Sequence, residues 1–171
     1  MDRKDITRKF YDEHVSEFED RTKNYLKEHI LDDALLFIKS LKGKDILDIG
    51  CGAGRDALFF KEQGLKPLCV DISPVIIELC KKRGLEAFVM DVEDLEFKDA
   101  FDGIWAYTSL LHMPKNNFLA VLDKIKDLLK ARGIFYLGMK EGDFEGWIED
   151  ERYGPLEDFT LCIKMKSSVI F

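Results

Sequence analysis

The sequence predicts an α/β protein with a doubly wound, mostly parallel sheet lying between two layers of helices (an α/β/α arrangement). After a helical N-terminal segment, short apolar stretches alternate with amphipathic ones in the order strand, helix, strand, helix. The strand stretches are mainly apolar, as expected where helices cover both faces of a parallel sheet. A chain of 171 residues is expected to form a single domain, residues 1–171.

Residues 1–42 are predicted to form an N-terminal helical cap. The stretch from Asp5 to Asp20 has apolar side chains at mixed three-to-five spacing, a fair amphipathic signal. The next stretch has a stronger apolar stripe, and Gly43 is expected to end it. This stripe consists of Leu26, Ile30, Leu31, Ala34, Leu35 and Ile38.

Residues 43–140 are predicted to form the α/β core. Ser73 is a good N-cap, Pro74 suits the first helical position, and Gly84 and Gly133 are expected to end helices. In chain order, strands are predicted at 44–50, 66–72, 86–91, 101–108 and 133–140, with helices at 55–64, 73–84 and 116–133.

Residues 141–171 are predicted to form a short lid and edge-strand segment. Residues 143–159 are acidic and expected to be irregular, whereas 159–171 could form one strand or two short strands. An uncovered sheet edge at this C-terminal end would favour pairing with a second copy, as a homodimer.

Charge and composition argue against several classes of partner. The net charge of −7 is a poor match to a nucleic-acid-binding surface, so no nucleic acid is expected. No apolar run reaches the length of a membrane span, and the charged N-terminus has no signal-peptide core, so the cytoplasm is the expected location. The cysteines and histidines lack metal-ligand spacing, and no metal site is expected.

A glycine-rich loop follows the first predicted strand. Gly50, Gly52 and Gly54 allow close approach of a ligand to the backbone, and the next helix offers unpaired N–H groups. The dinucleotide fingerprint requires a small residue three positions after the second glycine, and Arg55 stands there. No Gly-Lys-Ser/Thr follows, which excludes a P-loop.

Three aspartates follow successive predicted strands. Asp48 precedes the loop and would suit an ammonium group, Asp71 could accept both hydroxyls of a ribose, and Asp91 could accept from an adenine amino group. Each could instead cap the following turn. Together they describe a ligand that carries an amino acid, a ribose and a base but no phosphate.

The segment from Tyr11 to Gly142 resembles the class I S-adenosylmethionine-dependent methyltransferases. Its most specific parts are "DIGCGAGRD", "VDIS" and "MDVEDL", and "FDGIWAYTSLLHMP" resembles the family's fourth-strand motif. The resemblance implies one methyltransferase domain, S-adenosylmethionine as cofactor and residues 43–140 as the cofactor-binding core. The implied cofactor-binding residues are Tyr11, Asp48, Gly50, Cys51, Gly52, Arg55, Asp71, Ile72, Asp91, Val92, Ala106 and Tyr107.

The resemblance predicts methyl transfer to a small-molecule acceptor by in-line displacement. His112 follows the fourth strand and could act as a general base, or could orient the loop before the next helix. The C-terminal end is shorter than the family pattern. An S-adenosylmethionine-binding protein without transferase activity is therefore the first alternative, and an NAD(P)-dependent oxidoreductase, disfavoured by Asp48 and Arg55, is the second.

Overall fold

The computed structural model describes residues 3–139 and the backbone of two further strands, 145–149 and 157–161. The N-terminal cap consists of three helices, α1 (Arg3–Thr22), α2 (Tyr25–His29) and α3 (Leu31–Ser40), as predicted. Helix α1 bends at His14, whose backbone is not helical. Helix α3 buries Ala34 of the predicted stripe, and also Phe37, against the sheet, whereas Leu35 of that stripe is 45% exposed.

Strands and helices alternate through the core as the sequence predicts. Ser73 caps the helix that begins at Pro74 by accepting a hydrogen bond from the backbone N–H of Ile76 at 3.1 Å. The elements are β1 (Asp45–Ile49), α4 (Arg55–Glu62), β2 (Lys66–Asp71), α5 (Pro74–Lys82), β3 (Glu86–Val89), β4 (Phe101–Tyr107), α6 (Lys115–Asp127) and β5 (Leu129–Gly138), with 3₁₀ turns at Val92–Asp94 and Leu110–His112.

The five core strands form one parallel sheet in the order β3-β2-β1-β4-β5. Helix α6 packs on one face through Val121 and Ile125. On the other face, Phe37 of α3 and Phe60 of α4 pack around the fully buried Trp105. The predicted doubly wound α/β/α fold is confirmed. The strand order reverses between β1 and β4, so a ligand is expected at the carboxyl ends of these strands.

Two predicted boundaries are wrong. The helix expected to reach Gly133 ends at Asp127, and β5 begins at Leu129, which pairs with Phe101 of β4. Arg132 has a positive φ of 68°, which a helix cannot accommodate. The pairing with β4 thus overrides the helical periodicity of this stretch.

The acidic segment expected to be irregular contains one strand and the start of a second, which continues into the stretch 159–171 where strand was predicted. β6 (Glu145–Glu149) and β7 (Glu157–Leu161) form an antiparallel pair outside the main sheet. The backbone of β7 lies beside α1 and the Leu110–His112 turn. Residues 162–171, where further strand was predicted, lie outside the described residues. No helix in the described part of the chain is long and apolar enough to cross a membrane.

Candidate functional site

The glycine loop after β1 adopts a conformation that favours glycine. Gly50, Gly52 and Gly54 have φ values of 65°, 52° and 80°, in the region that L side chains rarely adopt. A Cβ on Gly50 would lie 2.2 Å from Cβ of Ser109. The loop is anchored by a hydrogen bond from the Gly50 N–H to the Val70 carbonyl at 2.8 Å. Its backbone therefore forms one wall of a cleft at the switch point.

Asp48, the first predicted aspartate, lines this cleft below the loop. It is 2% exposed, and its Oδ2 atom has no hydrogen-bond partner among the described residues. Burial raises the pKa of this carboxyl well above its usual value, and the nearby Asp56 acts in the same direction. A buried carboxyl oxygen that lacks a hydrogen-bond partner is satisfied best by a cationic donor.

Asp71, the second aspartate, lies at the end of β2 and also lines the cleft. Its carboxylate accepts hydrogen bonds from the backbone N–H groups of Ser73 at 3.0 Å and Gly52 at 3.2 Å. These bonds fix the carboxylate against the glycine loop. Burial raises the pKa of Asp71 to about 6, and the two hydrogen bonds oppose that rise.

Asp91, the third aspartate, caps a turn and forms an ion pair. It accepts a hydrogen bond from the Glu93 N–H at 2.9 Å, and the Lys4 ammonium lies 2.5 Å from its Oδ2. Lys4 also contacts Glu93 at 3.0 Å. The first turn of α1 therefore reaches the end of β3, a contact that the sequence analysis did not predict.

Tyr11 and His112, far apart in sequence, meet in the cleft. The Tyr11 hydroxyl and His112 Nε2 form a hydrogen bond of 3.0 Å, and the two rings pack edge to face. Both residues line the cleft, as do Ile72 and Val92. The structure thus brings the predicted N-terminal aromatic and the candidate base together.

Arg55 lines the cleft, but its guanidinium is engaged within the protein. It donates to both carboxylate oxygens of Asp56, at 2.5 and 3.0 Å, and to the Thr22 carbonyl at 3.3 Å. It also lies over the rings of Tyr25 and Tyr107, 5.5 and 5.9 Å from their centroids. Arg55 therefore holds the cleft wall together, and its implied role as a cofactor-binding residue stays a prediction.

The two predicted residues of β4 lie in different surroundings. Tyr107 lines the cleft and donates a hydrogen bond from its hydroxyl to the Tyr25 hydroxyl at 3.2 Å. Ala106 is fully buried in the core and is not among the residues that line the cleft. Cys51 lines the cleft beside the glycines.

Helix α1 also contributes Thr7, Phe18 and Thr22 to the wall of the cleft, and of the α1 side chains only Tyr11 was predicted there. No local sequence pattern marks these three residues, because α1 meets the cleft only through tertiary packing. The lining is acidic: among the described residues, five carboxylates and three basic side chains face the cleft. These are Asp48, Asp56, Asp71, Asp91 and Glu93, with Arg3, Lys4 and Arg55.

Comparison with known proteins identifies the family. A family model described as a methyltransferase domain matches residues 46–133. A cypemycin N-terminal methyltransferase from Streptomyces sp is 29% identical over 100 residues, which cover 56% of this chain and 38% of that protein. A ubiquinone biosynthesis O-methyltransferase from Xylella fastidiosa is 31% identical over 106 residues, covering 57% of this chain and 42% of that protein.

Solved structures share the fold. The structure of a DhpI–SAH complex has a TM-score of 0.74 at 16% identity and covers 94% of this chain and 80% of that chain. Magnesium protoporphyrin IX methyltransferase from Synechocystis PCC 6803 has a TM-score of 0.68 at 15% identity, covering 84% and 78% of the two chains.

The chain spans about two fifths of the length of the curated relatives it matches. Within residues 46–133, which the family model matches, lie the glycine loop, the three aspartates and the fourth strand. The matched domain covers just over half of the 171 residues, and the chain belongs to the class I S-adenosylmethionine-dependent methyltransferase family.

Proposed function

We propose that this chain binds S-adenosylmethionine in the cleft and transfers its methyl group to a small-molecule acceptor by in-line displacement. The observation that carries the proposal is the buried Oδ2 of Asp48 beneath the glycine loop, which has no hydrogen-bond partner in the part of the chain that the structure describes. Asp48 would accept from the cofactor ammonium, and the Gly50–Gly52 backbone would lie along the methionine moiety. A nicotinamide dinucleotide would instead bring a pyrophosphate close to this carboxylate.

The other predicted residues have complementary roles in the proposal. Asp71, already fixed by two N–H groups, would accept from the ribose hydroxyls. Ile72 and Val92 would pack on the adenine, and Asp91 would meet its edge once Lys4 shares or releases the carboxylate. The bound cofactor supplies a methyl group that is already electrophilic. The chain must therefore position the acceptor and exclude water, which can lower a barrier by roughly 7–11 kcal/mol.

The acceptor is proposed to approach from a second cleft that shares Tyr107 with the first. Its other lining residues include His29, Asp33, Tyr136 and Met139. The Tyr136 hydroxyl donates to Asp33 at 2.8 Å, so polar and aromatic groups lie side by side. The matched relatives are named for O-methyl and N-terminal methyl transfer, so phenols and amines are the first acceptors to screen.

His112 is proposed to take the proton from an oxygen or amine acceptor. Its hydrogen bond to Tyr11 would hold the imidazole toward the cleft. If turnover of an oxygen acceptor by His112→Ala equalled that of the native chain, this role would be excluded.

Calorimetric titration tests the cofactor site. The native chain should bind S-adenosylmethionine and its demethylated product in the micromolar range and should not bind reduced nicotinamide dinucleotide. Asp48→Asn should weaken binding more than about tenfold. Asp45→Asn, at the other end of the same strand where Asp45 contacts Lys130, is the matched control and should bind normally. Binding without turnover across the acceptor screen would favour the non-catalytic alternative.

The edge of the sheet is proposed to pair with a second copy of the chain. Among the described residues β5 pairs with β4 alone, which leaves one side of its backbone for another strand. Light scattering should give twice the mass of the chain, and a monomeric mass at high concentration would contradict this proposal.

A further inference from the structure

Three cysteines gather beneath the glycine loop. Cys51 lies in the loop, Cys69 in β2 and Cys80 in α5, and all three are buried in the same apolar cluster. The Sγ atoms of Cys51 and Cys80 form a hydrogen bond of 3.8 Å. The proposed function gives this contact no role.

The pair is tied to the loop that forms the cofactor site. Cys80 donates a hydrogen bond from its thiol to the Gly52 carbonyl at 3.3 Å, and the Gly52 N–H donates to Asp71. Cys51 lies between Gly50 and Gly52 and lines the cleft, whereas Cys80 does not. Cys51, which is 8% exposed, is therefore the member of the pair at which a small reagent in the cleft would arrive.

We propose that Cys51 and Cys80 are a site of oxidative modification, converted by a peroxide into a disulfide that blocks the cofactor cleft. Disulfide formation would bring the sulfurs from 3.8 Å to about 2 Å. It would also remove the thiol hydrogen that Cys80 donates to Gly52. The loop and Asp71 would then leave the arrangement in which they are proposed to hold the cofactor.

The reaction balances with hydrogen peroxide as the only added reagent. The Cys51 sulfur attacks one peroxide oxygen and the O–O bond breaks. The products of this step are a sulfenic acid on Cys51 and one water. The Cys80 sulfur attacks the Cys51 sulfur, the S–O bond breaks, the S–S bond forms and a second water leaves. The two thiols lose two electrons and two protons, and one peroxide is reduced to two waters.

The surroundings suit Cys80 to the second step. Hydrogen bonds from the Cys51 and Cys69 thiols lower the pKa of Cys80, and the Arg83 guanidinium acts in the same direction. Hydrogen bonding with Cys69 and Cys80, together with burial, raises the pKa of Cys51. The first step is therefore expected to be slow and the second fast.

The test uses the chain carrying Cys162→Ser, which leaves three cysteines. After excess hydrogen peroxide and denaturation, we expect the loss of two titratable thiols and of the mass of two hydrogen atoms, with a dithiothreitol-reversible link between the peptides of Cys51 and Cys80. Adding Cys80→Ser or Cys80→Ala should abolish the link, whereas Cys69→Ser should retain it. Circular dichroism checks that each variant folds.

An unchanged thiol count, or a link that maps to Cys69, would overturn the proposal. This readout needs no cofactor, so it is independent of the proposed function.

A second experiment tests whether the disulfide blocks the cofactor cleft. Binding of the demethylated product to the reduced chain is measured first. Saturating product should slow oxidation at least about tenfold, and the oxidised chain should bind it at least about tenfold more weakly. Equal rates with bound product would overturn the route through the cleft, and equal affinities would overturn the block.

Discussion

Replacing Asp71 by asparagine should change the stability of the fold by an amount that depends on pH. Burial raises the pKa of Asp71 from 3.8 to about 6. Between these two values the folded chain binds more protons than the unfolded chain, so this carboxyl lowers stability as pH rises through the window. Above pH 6 the ionised carboxyl lowers the free energy of unfolding by its full amount. This amount is about 3 kcal/mol, at about 1.4 kcal/mol for each pH unit between the two pKa values.

Asparagine stays neutral, so Asp71→Asn removes this cost. Its one acceptor oxygen can serve only one of the two N–H donors, which costs roughly 1–3 kcal/mol at every pH. The free energy of unfolding of the variant minus that of the native chain should therefore rise by about 2–3 kcal/mol from about pH 4 to about pH 8. Subtracting the native value cancels the groups that titrate alike in both chains.

Urea denaturation followed by tryptophan fluorescence at three pH values measures this difference. Asp123→Asn, at an exposed position of α6, is the matched control for replacing an aspartate that is not buried. A difference for Asp71→Asn that does not vary with pH would refute the argument that burial governs the ionisation of Asp71. The same variant should lose affinity for the cofactor at pH 8, because the ribose acceptor is weakened.

Three further predictions, made with four substitutions, test the local packing. Gly50→Ala adds a Cβ 2.2 Å from Ser109 at a φ of 65°, whereas the Cβ that Gly64→Ala adds at a φ of 83° meets nothing within 4 Å. Both substitutions should lose roughly 1–2 kcal/mol of stability to backbone strain. Thermal unfolding should show a much larger loss of stability for Gly50→Ala, because only this variant also has the steric clash. Ser73→Ala removes the cap of α5 and should cost about 0.5–2 kcal/mol in urea unfolding, and a cost near zero would contradict the cap's contribution. Trp105→Phe removes a buried hydrogen bond of 3.0 Å from the indole N–H to Asp56 of α4. It should lower the free energy of unfolding by about 1–3 kcal/mol, measured by circular dichroism, and an unchanged unfolding midpoint would argue against that bond.

Local signals made the core predictable. The alternation of apolar strands and capped helices identifies the fold, because each of these features is decided within a few residues. Ser73 caps α5 and Pro74 occupies its first position, as predicted, for this reason. The carboxyl ends of parallel strands meet at one edge, so the sequence alone was enough to place Asp48 and Asp71 in one cleft.

The remaining contacts depend on tertiary packing, which leaves no pattern in a single sequence. Lys4 reaches Asp91 because α1 crosses the end of β3. The Tyr11–His112 bond joins positions 101 residues apart. The early end of α6 follows from the pairing of β5 with β4, which outweighs a helical periodicity that continues past Asp127.

The acidic lining of the cleft has a consequence for the end of a catalytic cycle. S-adenosylmethionine carries one more positive charge than the product left after methyl transfer. Carboxylates that outnumber basic groups in the cleft attract the charged form more strongly. Methyl transfer would thus remove part of the attraction that retained the ligand, which would favour product release and reduce inhibition by accumulated product.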